Sequence, residues 1–270
     1  MSEYTEANRK LWNTWTRIHE RSEFYNLAGF KAGHNSLKSI ELEEVGEVRG
    51  KSLLHLQCHF GQDTLSWARL GAQVTGVDLS DEAISLARSL ADELGLEASF
   101  ICSDLYDLPE HLAAQFDIVF TSYGVLAWLR DLQAWGQLIA RYLKPGGCFH
   151  LVELHPLSVT LDDELTEPVL QICMPYFHSR EPMKFDSECS YADEEIRHEN
   201  MPSYEWNYSL SEVINALIQA GLQIEFLHEF PMTTYQHLPW MHKDPDGWYR
   251  LPPEFPEIPF LFSVKARRPA

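Results

Sequence analysis

Between residues 51 and 155 the sequence alternates short apolar runs with segments of helical periodicity, and this alternation constrains the fold more than any other feature. The apolar runs cover 52–57, 73–77, 99–102, 116–122 and 148–154. Amphipathic helical stripes lie between them, and the first of these helices stops at Gly71, a residue type that commonly follows a helix. Strands that alternate with helices predict a parallel sheet with helices on both faces. The continuous apolar character of the runs agrees, because such a sheet is buried on both sides.

The segments on either side of this region have a different character. Residues 4–19 carry an apolar stripe that includes Leu11, Trp12 and Trp15, which predicts an amphipathic helix that packs on the core or covers a ligand. After residue 155 the regular pattern lapses, and it returns as a helix over 209–219 and strands over 222–230 and 258–265. Loops as long as 156–208 and 231–257 are unusual inside a domain unless they are functional, so we interpret both as insertions over one end of the sheet.

The charge balance excludes several classes of partner. The chain has 21 Lys and Arg against 40 Asp and Glu, a net charge of −19. Nucleic acids and anionic membranes attract basic surfaces, so we expect neither as a partner. The polar, acidic N-terminus does not resemble a secretory signal and no apolar run is long enough to cross a bilayer, which predicts a soluble cytoplasmic protein. Oligomeric state is not predicted.

The five cysteines do not form a recognisable site. Their odd number and the absence of a Cys-x-x-Cys pair fit neither a disulfide framework nor a zinc knuckle. We expect reduced thiols and no metal.

The ends of the first strands are the places where a ligand is expected. In an open parallel sheet, ligands bind beyond the carboxyl ends of the strands, where the strand order reverses. The first strand leads into the turn at residues 57–61, and the second ends at Asp78 about twenty residues later. A carboxylate there is suited to bind ribose hydroxyls, although a strand-end Asp also serves as a helix cap.

Five segments in order give the chain a family resemblance. They are the turn ending in Gly61 and residues 74–80, 104–109, 116–122 and 143–147. Together they make residues 52–155 resemble the core of class I S-adenosylmethionine-dependent methyltransferases, in a subfamily whose first motif reads His-Leu-Gln-Cys-His-Phe-Gly. The resemblance implies one α/β domain with a Rossmann-like, mostly parallel seven-stranded sheet and helices on both faces. It divides the chain into an N-terminal helical cap (1–50), a cofactor-binding core (51–155), cap insertions (156–208 and 231–257) and the rest of the core (209–230 and 258–268).

The same resemblance implies S-adenosylmethionine as the cofactor and assigns roles to matched positions. Asp78 would bind the ribose hydroxyls, Leu79 would pack on the adenine, and Asp104 would accept from the adenine amino group beside the backbone of Leu105. The turn would approach the methionine portion through its backbone. The full set of predicted cofactor-binding residues is Trp15, Gln57, Cys58, His59, Gly61, Asp78, Leu79, Ser103, Asp104, Leu105 and Thr121.

One departure from the family pattern leaves two interpretations. Members usually have an acid in the first strand and three glycines in the turn, whereas this chain has His55 for the acid and Gln57 and His59 for the first two glycines. The turn is either a variant in which Gln57 or His59 binds the cofactor directly, or a degenerate site. The departure also counts against a dinucleotide-dependent dehydrogenase, which needs the glycines that are missing.

The catalytic residues are less constrained. Glu153 and His155, two residues apart at the fifth strand, are the candidate bases, with Tyr123 lining the site; alternatively, Glu153 and His155 only hold a neighbouring loop. We expect Trp12 and Trp15 to form an aromatic cap with Tyr191, Trp206, Tyr208, His237, Trp240 and Trp248, suited to a small organic acceptor such as an amine. The predicted function is methyl transfer to a small molecule. The alternatives are an inactive cofactor-binding or regulatory protein and a nicotinamide-dependent oxidoreductase.

Overall fold

A seven-stranded sheet in the order β3–β2–β1–β4–β5–β12–β8 forms the centre of the computed structural model, which describes residues 2–270. Neighbouring strands from β3 to β5 are parallel, and β12 runs antiparallel to both β5 and β8. The prediction of a mostly parallel, seven-stranded sheet is therefore confirmed. The strands of this sheet are β1 (Ser52–Leu56), β2 (Gln73–Asp78), β3 (Ala98–Cys102), β4 (Phe116–Ser122), β5 (Leu143–Leu154), β8 (Gln223–Phe230) and β12 (Leu261–Arg267).

Helices accompany the sheet, and side-chain caps mark where several of them begin. Ser80 accepts a hydrogen bond from the Ala83 N–H at the start of α5, and Ser209 forms a capping box with Glu212 at the start of α7. The helices are α1 (Glu3–His19), α2 (Leu27–Lys31), α3 (Ser39–Val45), α4 (Gln62–Arg69), α5 (Asp81–Leu94), α6 (Leu132–Tyr142) and α7 (Leu210–Gln219).

Apolar side chains fill the space on both faces of the sheet. On one face, Trp135 of α6 and Leu217 of α7 pack in the largest buried cluster. On the other, Trp67 of α4 packs against Leu53 and Phe120. Both faces are covered because the strands carry apolar residues on both sides, as the continuous apolar runs predicted.

The segments interpreted as insertions contain short strands of their own. Within 156–208, β6 (Met183–Ser187) and β7 (Met201–Glu205) form an antiparallel pair. Within 231–257, β9 (Met232–Thr233), β10 (His242–Lys243) and β11 (Tyr249–Arg250) form a small three-stranded sheet. In the N-terminal fifty residues, α2 and α3 follow the predicted first helix.

The sheet topology determines where a ligand can bind. From β1, the chain proceeds to β2 and β3 on one side, whereas β4 and β5 lie on the other. The strand order therefore reverses between β1 and β4, and a crevice is expected beyond the carboxyl ends of these two strands.

Candidate functional site

A cavity of about 1420 Å³ lies at this switch point. Its walls include the turn after β1, the ends of β2 to β5, and parts of α1 and of both insertions. Pockets that hold one drug-sized ligand measure roughly 300–1,000 Å³. The cavity therefore has room for a cofactor and an acceptor together.

The turn after β1 keeps the backbone path of a glycine turn without two of the glycines. Gln57, His59 and Gly61 have φ angles of 55°, 50° and 80°, in the left-handed region that glycine adopts most easily. A side chain at Gly61 would also meet the ring of Phe100 at 2.8 Å, so glycine is required there. The larger residues at 57 and 59 thus adopt the backbone conformation that glycine favours, and all three positions line the cavity.

Asp78 at the end of β2 is joined to this turn. One carboxylate oxygen accepts the His59 N–H at 2.7 Å and the other accepts the Ser80 N–H at 2.9 Å. Burial raises the pKa of Asp78 to about 6, although these N–H bonds oppose the change. Each oxygen keeps a further acceptor site, and Asp78 and the adjacent Leu79 both line the cavity.

Asp104, after β3, is held by two groups that sequence reasoning missed. Its carboxylate pairs with the Arg130 guanidinium at 2.7 Å and accepts the Tyr106 N–H at 3.0 Å. The guanidinium lies 4.0 Å from the centre of the Tyr106 ring. Ser103 and Leu105 line the cavity beside Asp104. No motif marked Arg130, because it comes from the loop after β4 and reaches Asp104 only through the fold.

The end of β4 contributes Tyr123, whose φ of 39° is strained for a residue other than glycine. Its hydroxyl donates to a carboxylate oxygen of Glu41 in α3 at 2.9 Å. Glu41 is fully buried, and burial raises the pKa of its carboxyl to about 7. Tyr123 lines the cavity, whereas the side chain of Thr121 is buried and donates to the Leu56 carbonyl. Thr121 is thus not among the cavity-lining residues.

Glu153 and His155 bind different groups. The Glu153 carboxylate accepts the backbone N–H groups of Gly124, Val125 and Leu126, the loop that follows β4. These contacts fit the alternative role of holding a neighbouring loop better than the role of a base. Glu153 nevertheless also lines the cavity. The His155 ring bonds Glu229 at 2.9 Å and is not among the cavity-lining residues, because it follows the end of β5 and turns towards β8.

The N-terminal helix covers the turn through an imidazole pair. His19 Nδ1 and His59 Nε2 are 2.8 Å apart, and His19 Nε2 is 2.6 Å from the Ser190 hydroxyl of the first insertion. Beside them, the Trp15 indole N–H donates to the Cys189 carbonyl at 3.1 Å. Helix α1, the first insertion and the turn are therefore directly linked. His19 had no motif to indicate it.

Aromatic side chains form much of the cover. The predicted cap residues Trp12, Trp15, Tyr191, Trp206, Tyr208 and His237 line the cavity. Trp240 and Trp248 do not: Trp240 packs in an apolar cluster with Leu238, and Trp248 packs in another with Leu261 of β12.

The charge of the cavity wall is strongly negative. Ten residues with carboxylate side chains line it, against the three cations Lys38, Arg130 and Lys243. A wall of this kind favours cationic or neutral ligands over anionic ones. Among residues 2–270 no group of three or more His, Cys, Asp or Glu side chains is placed to hold a metal ion. Within the same residues, no helix combines the length and the apolarity that a membrane crossing needs.

One stretch of the chain matches a known protein family. Residues 53–147 match the model described as "Methyltransferase domain". A curated ubiquinone biosynthesis O-methyltransferase of Xanthomonas axonopodis is 35% identical over 124 residues, which are 45% of this chain and 52% of that protein. An uncharacterized methyltransferase of Synechocystis is 33% identical over 148 residues, 54% of this chain and 66% of that protein. The chain thus spans about half the length of the first curated relatives it matches.

Solved structures extend the likeness over most of the chain. An S-adenosylmethionine-dependent methyltransferase from Mesorhizobium loti is 22% identical, with a TM-score of 0.60, and the match covers 88% of this chain and 100% of that one. A glycopeptide N-methyltransferase solved with S-adenosylmethionine is 18% identical, with a TM-score of 0.50, over 84% of this chain and 90% of that one. At these identities the structures establish the fold, and together with the family model they support S-adenosylmethionine as the cofactor.

Proposed function

We propose that this chain, whose residues 53–147 form a methyltransferase domain, transfers the methyl group of S-adenosylmethionine to a small-molecule acceptor. One observation carries the proposal: the turn after β1 keeps left-handed backbone at positions 57, 59 and 61 and is bonded to Asp78 at the switch point of the sheet. The missing glycines were the reason to consider a degenerate site. The left-handed backbone at these positions supports a turn that still binds the cofactor.

The residues of the cavity suit the cofactor's polar groups. Asp78 offers free acceptor sites to two ribose hydroxyls, and Leu79 offers an apolar surface to the adenine. Asp104 offers an acceptor to the adenine amino group, with its carboxylate oriented by Arg130. We assign the cofactor to the core at residues 51–155, and the cover to residues 1–50, 156–208 and 231–257.

Methyl transfer from a sulfonium requires the protein to position the acceptor more than to form a covalent bond with it. S-Adenosylmethionine, when bound, supplies a methyl group on a positively charged sulfur. The chain's contribution is to align the acceptor and exclude water, tasks that suit the aromatic cover formed by α1 and the insertions. At the end of β4, Tyr123 is the group best suited to relay a proton from the methyl acceptor, because its hydroxyl can receive that proton while it passes its own to the ionised Glu41 carboxylate. Glu153 is less suited, since backbone N–H groups occupy its carboxylate.

Two acceptor classes follow from different observations. The acidic, aromatic wall favours a basic amine, which aromatic faces bind through cation–π contacts. The curated relatives' name favours a hydroxyl acceptor. We propose the amine, because the acidic, aromatic wall is a feature of this chain itself. The match to the curated relative, in contrast, covers only 52% of that protein's length.

Calorimetry with S-adenosylmethionine and its demethylated product, S-adenosylhomocysteine, tests the cofactor. We expect binding to the wild type, weakened by Asp78→Ala by about 1–3 kcal/mol for the lost acceptor, roughly five- to 150-fold in Kd. Asp92→Ala, an exposed carboxylate on α5, serves as the control and should bind like the wild type. No binding at millimolar cofactor would refute the proposal.

Turnover distinguishes the acceptor classes. The wild type is incubated with S-adenosylmethionine and separate panels of amines and phenols, and S-adenosylhomocysteine is measured. Product with amines alone supports the proposed acceptor, and product with phenols alone transfers the assignment to the hydroxyl class. Cofactor binding without product from either panel would favour the non-catalytic alternative.

A further inference from the structure

The segment from His55 to His59 contains an unusual concentration of unsatisfied polar atoms. Among residues 2–270, nine buried side-chain nitrogen or oxygen atoms lack a hydrogen-bond partner. Three of the nine belong to this five-residue stretch: His55 Nε2, Gln57 Oε1 and His59 Nδ1. All three residues line the cavity. Buried polar atoms in folded proteins are almost always paired, so a cluster of exceptions at one cavity wall indicates a ligand contact.

The bonds made by neighbouring atoms show what two of these atoms can contribute to a ligand contact. The Gln57 amide nitrogen donates to the Val125 carbonyl at 2.9 Å, which leaves Oε1 as an acceptor. His55 Nδ1 is 2.8 Å from the Thr64 hydroxyl, so Nε2 is the ring nitrogen left for another group. Burial lowers the pKa of His55 to about 3, so the ring is neutral, and in the tautomer that carries its proton on Nδ1 the Nε2 atom is an acceptor. His59 differs, because its Nε2 forms a hydrogen bond with His19 Nδ1 in which either nitrogen can be the donor. The free His59 Nδ1 can therefore be a donor or an acceptor.

Two neutral acceptors on residues 55 and 57, which both line one wall of the cavity, suit a ligand that donates. S-Adenosylmethionine has three sets of N–H or O–H donors: the adenine amino group, the ribose hydroxyls and the α-ammonium group of its amino-acid end. Asp104 and Asp78 are the acceptors assigned to the first two. The α-ammonium group is the donor that remains.

We propose that Gln57 Oε1 and His55 Nε2 accept hydrogen bonds from the α-ammonium group of the cofactor. This inference rests on the proposed function. The inference also explains the departure from the family pattern, because the side chains at the positions of the acid and the first glycine would bind the α-ammonium group. The left-handed backbone at Gln57 keeps the conformation of the turn.

The test compares two ligands that differ at the amino-acid end. Calorimetry measures the Kd of S-adenosylhomocysteine and of 5′-methylthioadenosine, which has the nucleoside but no ammonium group. Loss of one hydrogen bond to a charged group is expected to weaken S-adenosylhomocysteine about tenfold or more in His55→Leu and in Gln57→Gly. The Kd of 5′-methylthioadenosine should change less than twofold in both.

A matched control is available in His150. Like His55, it is buried, packs near the Phe120 ring, bonds through one ring nitrogen and leaves the other without a partner. Unlike His55, it does not line the cavity. His150→Leu should therefore carry a comparable packing change and leave both ligand affinities at wild-type values.

Each outcome decides the inference. Equal weakening of both ligands, or no weakening of either, would show that the two side chains serve the fold and would overturn it. A wild type that binds 5′-methylthioadenosine as tightly as S-adenosylhomocysteine would overturn it while leaving the proposed cofactor intact. A wild type that binds neither ligand would overturn the proposed function as well. If His55→Leu does not fold, as judged by thermal melting, Gln57→Gly decides alone, because glycine adopts the local φ without strain.

Discussion

The buried carboxyl of Glu41 makes the stability of the protein depend on pH in a way that one substitution can isolate. Glu41 is fully buried in α3, where it accepts the Tyr123 hydroxyl and the Lys38 N–H. Burial is the largest influence on its pKa, followed by the charge of Asp63, and the pKa rises from 4.5 to about 7. The folded state therefore prefers the neutral form of Glu41.

Proton linkage gives the sign and the size of the effect of Glu41 on the free energy of unfolding. Between pH 4.5 and 7 the folded protein keeps a proton on Glu41 that the unfolded chain has lost, so the free energy of unfolding falls as pH rises. The contribution is fully present below pH 4.5 and is lost above about pH 7. At 1.36 kcal/mol for each pH unit between the two pKa values, the loss is about 3 kcal/mol.

Glu41→Gln removes this titration while keeping the shape of the side chain. Urea unfolding, followed by far-ultraviolet circular dichroism from pH 4.5 to 8, should show the wild type losing about 3 kcal/mol relative to the variant. Glu43→Gln, an exposed residue on the same helix, should run parallel to the wild type. A difference between the wild type and Glu41→Gln that stays constant across this range would refute the reasoning.

Two further predictions concern the walls of the cavity, and a third concerns the packing of β2. Calorimetry on the wild type should show weaker binding of S-adenosylhomocysteine as pH falls through about 6, where Asp78 gains a proton and loses an acceptor. Asp78→Asn should bind it with little pH dependence, and an equal change of Kd with pH in both proteins would contradict this. Glu153→Ala should lower the urea-derived free energy of unfolding by about 1–3 kcal/mol for each of the Val125 and Leu126 N–H groups left unpaired, and a loss under 1 kcal/mol would contradict the loop-holding contacts. Gly76→Ala should lower the urea-derived free energy of unfolding by about 1–3 kcal/mol, because the added carbon would lie 2.8 Å from the Cys58 sulfur and from the Phe100 ring. An unchanged free energy of unfolding would contradict this prediction.

The sheet was predictable because its signals are local. Strands buried on both faces appear in the sequence as short apolar runs, and the helices between them carry stripes of matching period. The hairpin of β6 and β7 gave no such signal, because its strands are largely half-exposed or exposed, and Pro202 lies within the second. The small strands β9 to β11 are only two residues long, too short for any periodicity.

The site was predictable only where it lies at a fixed offset from a strand. Asp78 ends β2, Ser103 and Asp104 follow β3 directly, and each lines the cavity. Glu41 and Arg130 escaped notice because they meet their partners across sequence separations of 82 and 26 residues, which packing alone determines. His155 was suggested by its proximity to Glu153 in sequence, but the chain leaves the strand between them and turns its ring towards Glu229.

The left-handed residues of the turn combine a local cost with long-range contacts. Glycine at positions 57 and 59 would relieve backbone strain of about 1–2 kcal/mol at each position. Glycine would also remove the bond from the Gln57 amide to the Val125 carbonyl and the contact between the His59 and His19 rings. The turn therefore ties the loop after β4 and helix α1 to the first strand, at a cost in local backbone energy that a glycine turn would not carry.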